Sequence, residues 1–184
     1  MRLVLWMALS ALPMVQVSAQ SLSIDGVSVR LGMPSDSALG LFKRRSALRV
    51  EFEAETGTYT FYRGDDPSMG SRGQLWMRNG RVGQVVREFN YDGTTWPIAM
   101  DSALVELRRI LGVSSDEELK SKCFLNHGLG ARQRTGGIAF VLNQEWKCGD
   151  YWLTSRVSQM RRPASFDYFA TSVTLFLLGP DGAS

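Results

Sequence analysis

Three glutamates stand at every second position, Glu51, Glu53 and Glu55. A β-strand sends alternate residues to one side, so these carboxylates project together, and mutual repulsion could raise the proton affinity of one as an acid catalyst requires. Hydrolysis of a glycosidic bond needs two such groups. The same spacing, with Val50, Phe52 and Ala54 in between, is what a half-buried strand shows when its wet face is balanced by arginines such as Arg78 and Arg87. Two readings follow: a small secreted hydrolase built on Glu51 and Glu53, or a solvated strand face. Asp116-Glu117-Glu118 reads as the acidic start of a helix, where negative charge suits the macrodipole.

Other common chemistries lack parts. The chain has one histidine, His127, set between Asn126 and Gly128 with no catalytic motif around it, and it reads as a solvated loop imidazole. One histidine excludes the usual His-rich metal sites. Neither a phosphate-cradling Gly-rich loop nor its lysine stands between a strand and a helix, so no nucleotide is expected, and no cofactor of any kind. Arg63-Gly64-Asp65 matches the integrin-binding tripeptide, but Asp66 and Pro67 mark the segment as a turn. The two cysteines, Cys123 and Cys148, are too few for a structural zinc site even with His127, and too far apart for a thioredoxin-like pair. They read as one structural disulfide.

That bond suits the destination written at the N-terminus. Arg2, an apolar run from Leu3 to Leu12, Pro13 and the small-residue tripeptide Val17-Ser18-Ala19 have the layout of a secretory signal peptide over residues 1–19. The run is well short of the roughly 20 residues that span a bilayer, and the chain reads as having no transmembrane segment once the signal is removed. Gln20, rather than a lipid-accepting cysteine, follows the expected cut. The mature protein is expected in the periplasm or outside the cell. A formal charge of +3, one unit of which leaves with Arg2, is too slight to imply a nucleic-acid or membrane partner.

The elements that would carry a site come in two similar sets. Asp36-Ser37-Ala38-Leu39-Gly40-Leu41-Phe42-Lys43-Arg44-Arg45 recurs as Asp101-Ser102-Ala103-Leu104-Val105-Glu106-Leu107-Arg108-Arg109-Ile110, and each copy opens a helical pattern followed by strand-like segments. In the first set Ser35 is the expected N-cap, and strands are expected from Leu48, over Thr58 to Arg63, over Gln74 to Arg78 and over Val82 to Tyr91, with Asn79-Gly80 as a hairpin turn. A short strand, Val27 to Leu31, precedes them. In the second, Met100, Ala103, Leu104, Leu107 and Leu111 form an apolar stripe, Gly112 closes the helix, and Ser115 to Lys120 adds an acidic turn. Strands then follow at Cys123 to Asn126, Ile138 to Asn143, Tyr151 to Val157 and Phe169 to Leu178. The stretches around Gly128-Leu129-Gly130 to Gly136-Gly137 and Pro163-Ala164-Ser165 read as loops, and Asp92-Gly93 as the end of the first sheet. The fold class is α+β: residues 20–95 and 96–184 form two related halves of one domain, each a helix plus four antiparallel strands, with the helices on one face of the sheet.

Strand alternation then picks out a recognition surface. Gln74, Trp76 and Arg78 share the polar side of one strand, and Trp152, Thr154 and Arg156 share that of the equivalent strand in the second half. Tryptophan and arginine are over-represented in interface hot spots. Tyr62, Trp76, Arg78, Trp152 and Arg156 are therefore the expected binding residues for a protein or other envelope component. If the helices lie on that face instead, both tryptophans are core residues.

Leu31-Gly32-Met33-Pro34-Ser35 leading into a short helix and then antiparallel strands, repeated once, resembles the tandem architecture of the beta-lactamase inhibitor proteins and of the BamE/SmpA-like envelope proteins. The resemblance implies helices packed on one side of a sheet and a protein partner bound on the other side or on an adjoining loop. It transfers no functional residue by position. The resulting expectation is a non-enzymatic binding protein, with the carboxylate hydrolase and a structural envelope factor as the competing classes.

Overall fold

The computed structural model describes residues 20–44, 47–64, 70–89, 95–134, 137–162 and 165–179, and only the backbone of 132–139 and 158–171. The expected signal peptide, Asp65 of the integrin-like tripeptide, Asp92-Gly93 and Pro163-Ala164 fall outside these residues. Eight strands form one antiparallel sheet: β3 (Leu48–Glu53), β4 (Thr58–Arg63), β5 (Ser71–Arg78), β6 (Arg81–Glu88), β7 (Phe124–Arg134), β8 (Gly137–Cys148), β9 (Tyr151–Arg162) and β10 (Ser165–Leu178). Across the sheet they run β3-β4-β5-β6-β10-β9-β8-β7. The last strand of each set meets the other at the middle, where Val85 pairs with Leu177 and Arg87 with Leu175. Three helices, α1 (Ser35–Lys43), α2 (Trp96–Leu111) and α3 (Asp116–Lys122), complete the α+β fold with a separate two-stranded hairpin, β1 (Ser21–Ile24) and β2 (Val27–Arg30).

One face of the sheet is the floor of the core. Phe61, Leu75, Val85, Leu177, Leu175 and Leu153 lie on it and are fully buried. What covers them is visible in single contacts. The Phe42 ring of α1 stacks on Phe61 at 4.0 Å, the Trp96 indole of α2 donates to the Ser155 hydroxyl at 2.6 Å, and Glu106 of α2 reaches Arg87 of β6 at 3.2 Å. Leu119 of α3 and Leu22, Ile24 and Val29 of the hairpin join the same cluster. The two copies of the repeated phrase bury equivalent positions, Ala38 and Phe42 in α1, Ala103 and Leu107 in α2. Burying such stripes, rather than helix propensity, is what holds a nine-residue helix with a central glycine in place.

Local signals explain most of the boundaries. Asn79 and Gly80 both take positive φ, 51° and 70°, as a two-residue hairpin demands. Gly112 ends α2 at φ 62°, the left-handed cap that glycine adopts without a Cβ penalty. Ser115 caps α3 by accepting the Glu118 backbone N–H, and Glu118 returns the favour to the Ser114 N–H at 2.7 Å. Cys123 and Cys148 form the expected disulfide, which joins the end of α3 to the end of β8.

Four expectations need correction. Pro34, not Ser35, is the N-cap of α1, and Ser35 is its first helical residue. A strand, β1, precedes the expected first one, turned by Asp25-Gly26 at φ 47° and 78°. Gly128-Leu129-Gly130 is strand rather than loop, because β7 and β8 pair in unbroken register from Phe124–Lys147 to Arg134–Gly137. Consequently His127 sits on an exposed strand rather than in a loop.

Candidate functional site

The face opposite the helices is where the expected binding residues stand. Register pairs trace one continuous row across all eight strands: Glu51, Thr60, Gln74, Val86, Phe176, Trp152, Lys147 and Phe124. Trp76, paired with Thr58 and Gln84, lies in the adjoining row. The residue is 44% exposed. Trp152 is half-buried, with the Phe176 ring 5.9 Å away and the Lys147 ammonium 4.8 Å above the indole. Its N–H has no acceptor among the described residues. Three strand spacings separate the two tryptophans, roughly 14 Å, so they share a face without touching. Val86 and Phe176 fill the interval as an apolar bridge.

The opposite side of this apolar centre is polar. Arg49 pairs with Tyr62 in register, and its guanidinium lies 5.2 Å over the Tyr62 ring and 2.7 Å from the Glu51 carboxylate. Burial pushes the Tyr62 phenol up from its ordinary value, and the charge of Glu51 and its hydrogen bond add to this while Arg49 opposes it. Along the same row Glu88 pairs with Thr174, Thr174 with Thr154, and Thr154 with Glu145. The Glu88 carboxyl is also pushed up, by burial, with the Ser71 hydroxyl pulling the other way.

Arg78 and Arg156 occupy the margins. Strand alternation carries Arg78 to the side of Trp76, exposed beside the Asn79-Gly80 turn. Arg156 pairs in register with Asn143 and Ser172 and, with Gly130, Val141 and Asn143, lines a cavity of about 260 Å³. The five residues thus share one broad surface of patches rather than a single pocket. Sequence reasoning missed its centre. The alternation of buried Val173, Leu175 and Leu177 with Thr174, Phe176 and Leu178 would have placed Phe176 there, and Lys147 lies beyond the expected end of its strand at Asn143.

The carboxylates of the alternative reading stand apart from the cavities. Glu51 and Glu53 are exposed on the edge strand β3, where Arg49 holds Glu51 and the Thr56 hydroxyl donates to Glu53 at 2.7 Å. Neither lines the cavity at Arg156 or the larger cleft of about 680 Å³ that lies across the molecule between Gln20, Arg109, Lys122 and Tyr151. Among the described residues, no three His, Cys, Asp or Glu side chains are grouped to hold a metal ion. No helix among them is long and apolar enough to cross a membrane.

No protein-family model matches this chain, and no curated protein does. Among solved structures, it is similar to the solution structure of cyanobacterial PsbP (CyanoP) from Synechocystis sp. PCC 6803, at 11% identity over 74% of this chain and 82% of that one, with a TM-score of 0.20. An overlap that slight assigns neither fold nor function.

Proposed function

We propose that this protein is a non-enzymatic binding protein of the periplasm or extracellular space, and that it recognises a protein partner through the open face of its sheet. The observation that carries this reading is the position of Trp76. A large aromatic residue left 44% exposed, on a face that α1, α2 and the β1–β2 hairpin all leave uncovered, adjoins an apolar bridge to a second tryptophan. Aromatic anchors ringed by arginine and polar groups are the usual centre of a protein interface.

The strand order, symmetric about the β6–β10 seam, and the equivalent buried positions of α1 and α2 support descent of the two halves from one unit. They also support the architectural resemblance to the beta-lactamase inhibitor and BamE/SmpA-like families. Trp76 and Trp152 are then equivalent residues, each on the third strand of its half, so both halves contribute the same anchor to one surface.

Capture of partners from an envelope extract by the immobilised protein tests this. Trp76→Ala is expected to retain the wild-type melting curve and to lose a captured partner at least tenfold, the effect of one hot-spot side chain. Trp152→Ala is expected to lose the same partner. Full retention by both variants would overturn the reading.

A further inference from the structure

The two edges of the sheet are built differently. At one end β3 is six residues long and alternates Arg49, Glu51 and Glu53 with its apolar positions. Short length and charge are the devices that keep an edge strand from pairing with another chain. At the other end β7 runs for eleven residues, Phe-Leu-Asn-His-Gly-Leu-Gly-Ala-Arg-Gln-Arg, with no proline or acidic residue and with its two charges, Arg132 and Arg134, confined to one end. It pairs with β8 without a single bulge, and no strand of the described residues pairs with its outer side. Phe124 to Ala131 are all exposed, Leu129 at 78%. A long edge without a bulge, uncharged from Phe124 to Ala131 and carrying exposed apolar side chains, is a template for strand addition.

We propose that the strand added is the β7 of a second copy of this chain, paired antiparallel about a two-fold axis between the two Leu129 residues. The strand is its own complement in that register. Leu129 is the central residue of the eleven, so this axis alone pairs the strand over its full length. It sets Gly128 opposite Gly130, His127 opposite Ala131, Asn126 opposite Arg132 and Phe124 opposite Arg134. No two like charges face each other, which cross-strand pairing disfavours. An axis at Gln133 would instead set Arg132 against Arg134. Leu129 already lies in a row with Leu142 and Val157, both half-buried. The axis joins that row to its counterpart and removes two exposed leucines from water. The dimer would also extend the open face into one surface twice as wide, although the pairing does not depend on what that face binds.

The test is a cysteine placed on the axis. Cys123 and Cys148 are bonded to each other and no free cysteine is present, so an introduced thiol has only its counterpart to react with. Directly opposed residues of antiparallel strands have Cα atoms about 4.5–5.5 Å apart, within disulfide range. Two residues at position 125 would lie eight residue steps apart, about 27 Å. The exported Leu129→Cys protein is expected to form a covalent dimer in air, with Leu125→Cys remaining monomeric under the same conditions. Sedimentation equilibrium of the wild type should show a dimer, and Leu129→Lys, which puts two ammonium groups on the axis, should shift its dissociation constant upward at least tenfold. A wild-type monomer at up to about 100 μM would overturn the proposal. So would a dimer whose Leu129→Cys variant cross-links no faster than Leu125→Cys.

Discussion

Glu88 shows what the open face costs as well as what it offers. Its carboxyl is drawn into the sheet surface beside Ser71 and Thr174, and burial raises its proton affinity above that of an unfolded carboxylate. A raised folded value means the native state holds a proton that the unfolded chain has already released, so stability is greatest below the unfolded carboxylate range and declines as pH rises through the folded value. At neutral pH Glu88 therefore contributes less to stability than it does in acid. Glu88→Gln, which keeps the shape and removes the charge, is expected to raise the urea midpoint at pH 7, with the difference shrinking as the pH is lowered. An unchanged midpoint at pH 7 would contradict it. Nothing in the local sequence marks this residue, since Val82 to Tyr91 reads only as a strand. Its partial burial depends on its neighbours across β5 and β10, contacts that pattern reasoning cannot supply. For Trp76 and Trp152 parity fixes which side of its strand each residue takes, but not which side the helices cover, so the sequence left a surface and a core position both open.

At the scale of elements, the amphipathic stripe of α2 was visible from its 3.6-residue period, and so was the Asn79-Gly80 hairpin. The glycines of β7 misled because composition describes turns well and edge strands poorly; an edge needs no side chain to pair, only backbone. Invisible in the sequence was how α2 is fastened. Glu106 accepts from Arg109 at 2.9 and 3.0 Å on its own helix and meets Arg87 of β6 at 3.2 Å, with its side chain only 12% exposed. The hydrogen bonds from Arg109, then Arg87's charge, outweigh burial and hold the Glu106 carboxyl below its ordinary value. Here the sign is reversed: the stability is present above the unfolded carboxylate range and is lost as pH falls through the lowered folded value. Glu106→Gln is expected to cost about 2 kcal/mol at pH 7, the worth of hydrogen bonds to a charged group. In urea titrations at decreasing pH the wild type should lose this advantage while the variant does not. Equal stabilities at pH 7 would mean that α2 is held by its apolar stripe and the Trp96–Ser155 hydrogen bond without help from Glu106.

The described residues share one eight-stranded sheet and one core, although the strands come in two sets and the disulfide lies entirely in the second. β6 and β10 pair at the centre of the sheet, the Glu106–Arg87 contact crosses the same boundary, and the Tyr151 hydroxyl donates to the Ser21 carbonyl at 3.2 Å, tying the hairpin to β9. The order of helix and strands along the chain was readable from period and punctuation. The seam was not, because antiparallel strands of either set present equally good edges, and only the closed arrangement of helices over one face decides which edges meet. The seam also predicts how a local bond acts at a distance. Cys123 and Cys148 are 25 residues apart in sequence, and on the chain-entropy model closing a loop of that length stabilises the folded state by about 3.5 kcal/mol. If the sheet and core are continuous, reduction should lower the melting temperature of the entire molecule, by about 10 °C for a chain of this size, in a single calorimetric transition. Were the two sets of strands independent, reduction would instead split the trace, moving one transition and leaving the other in place.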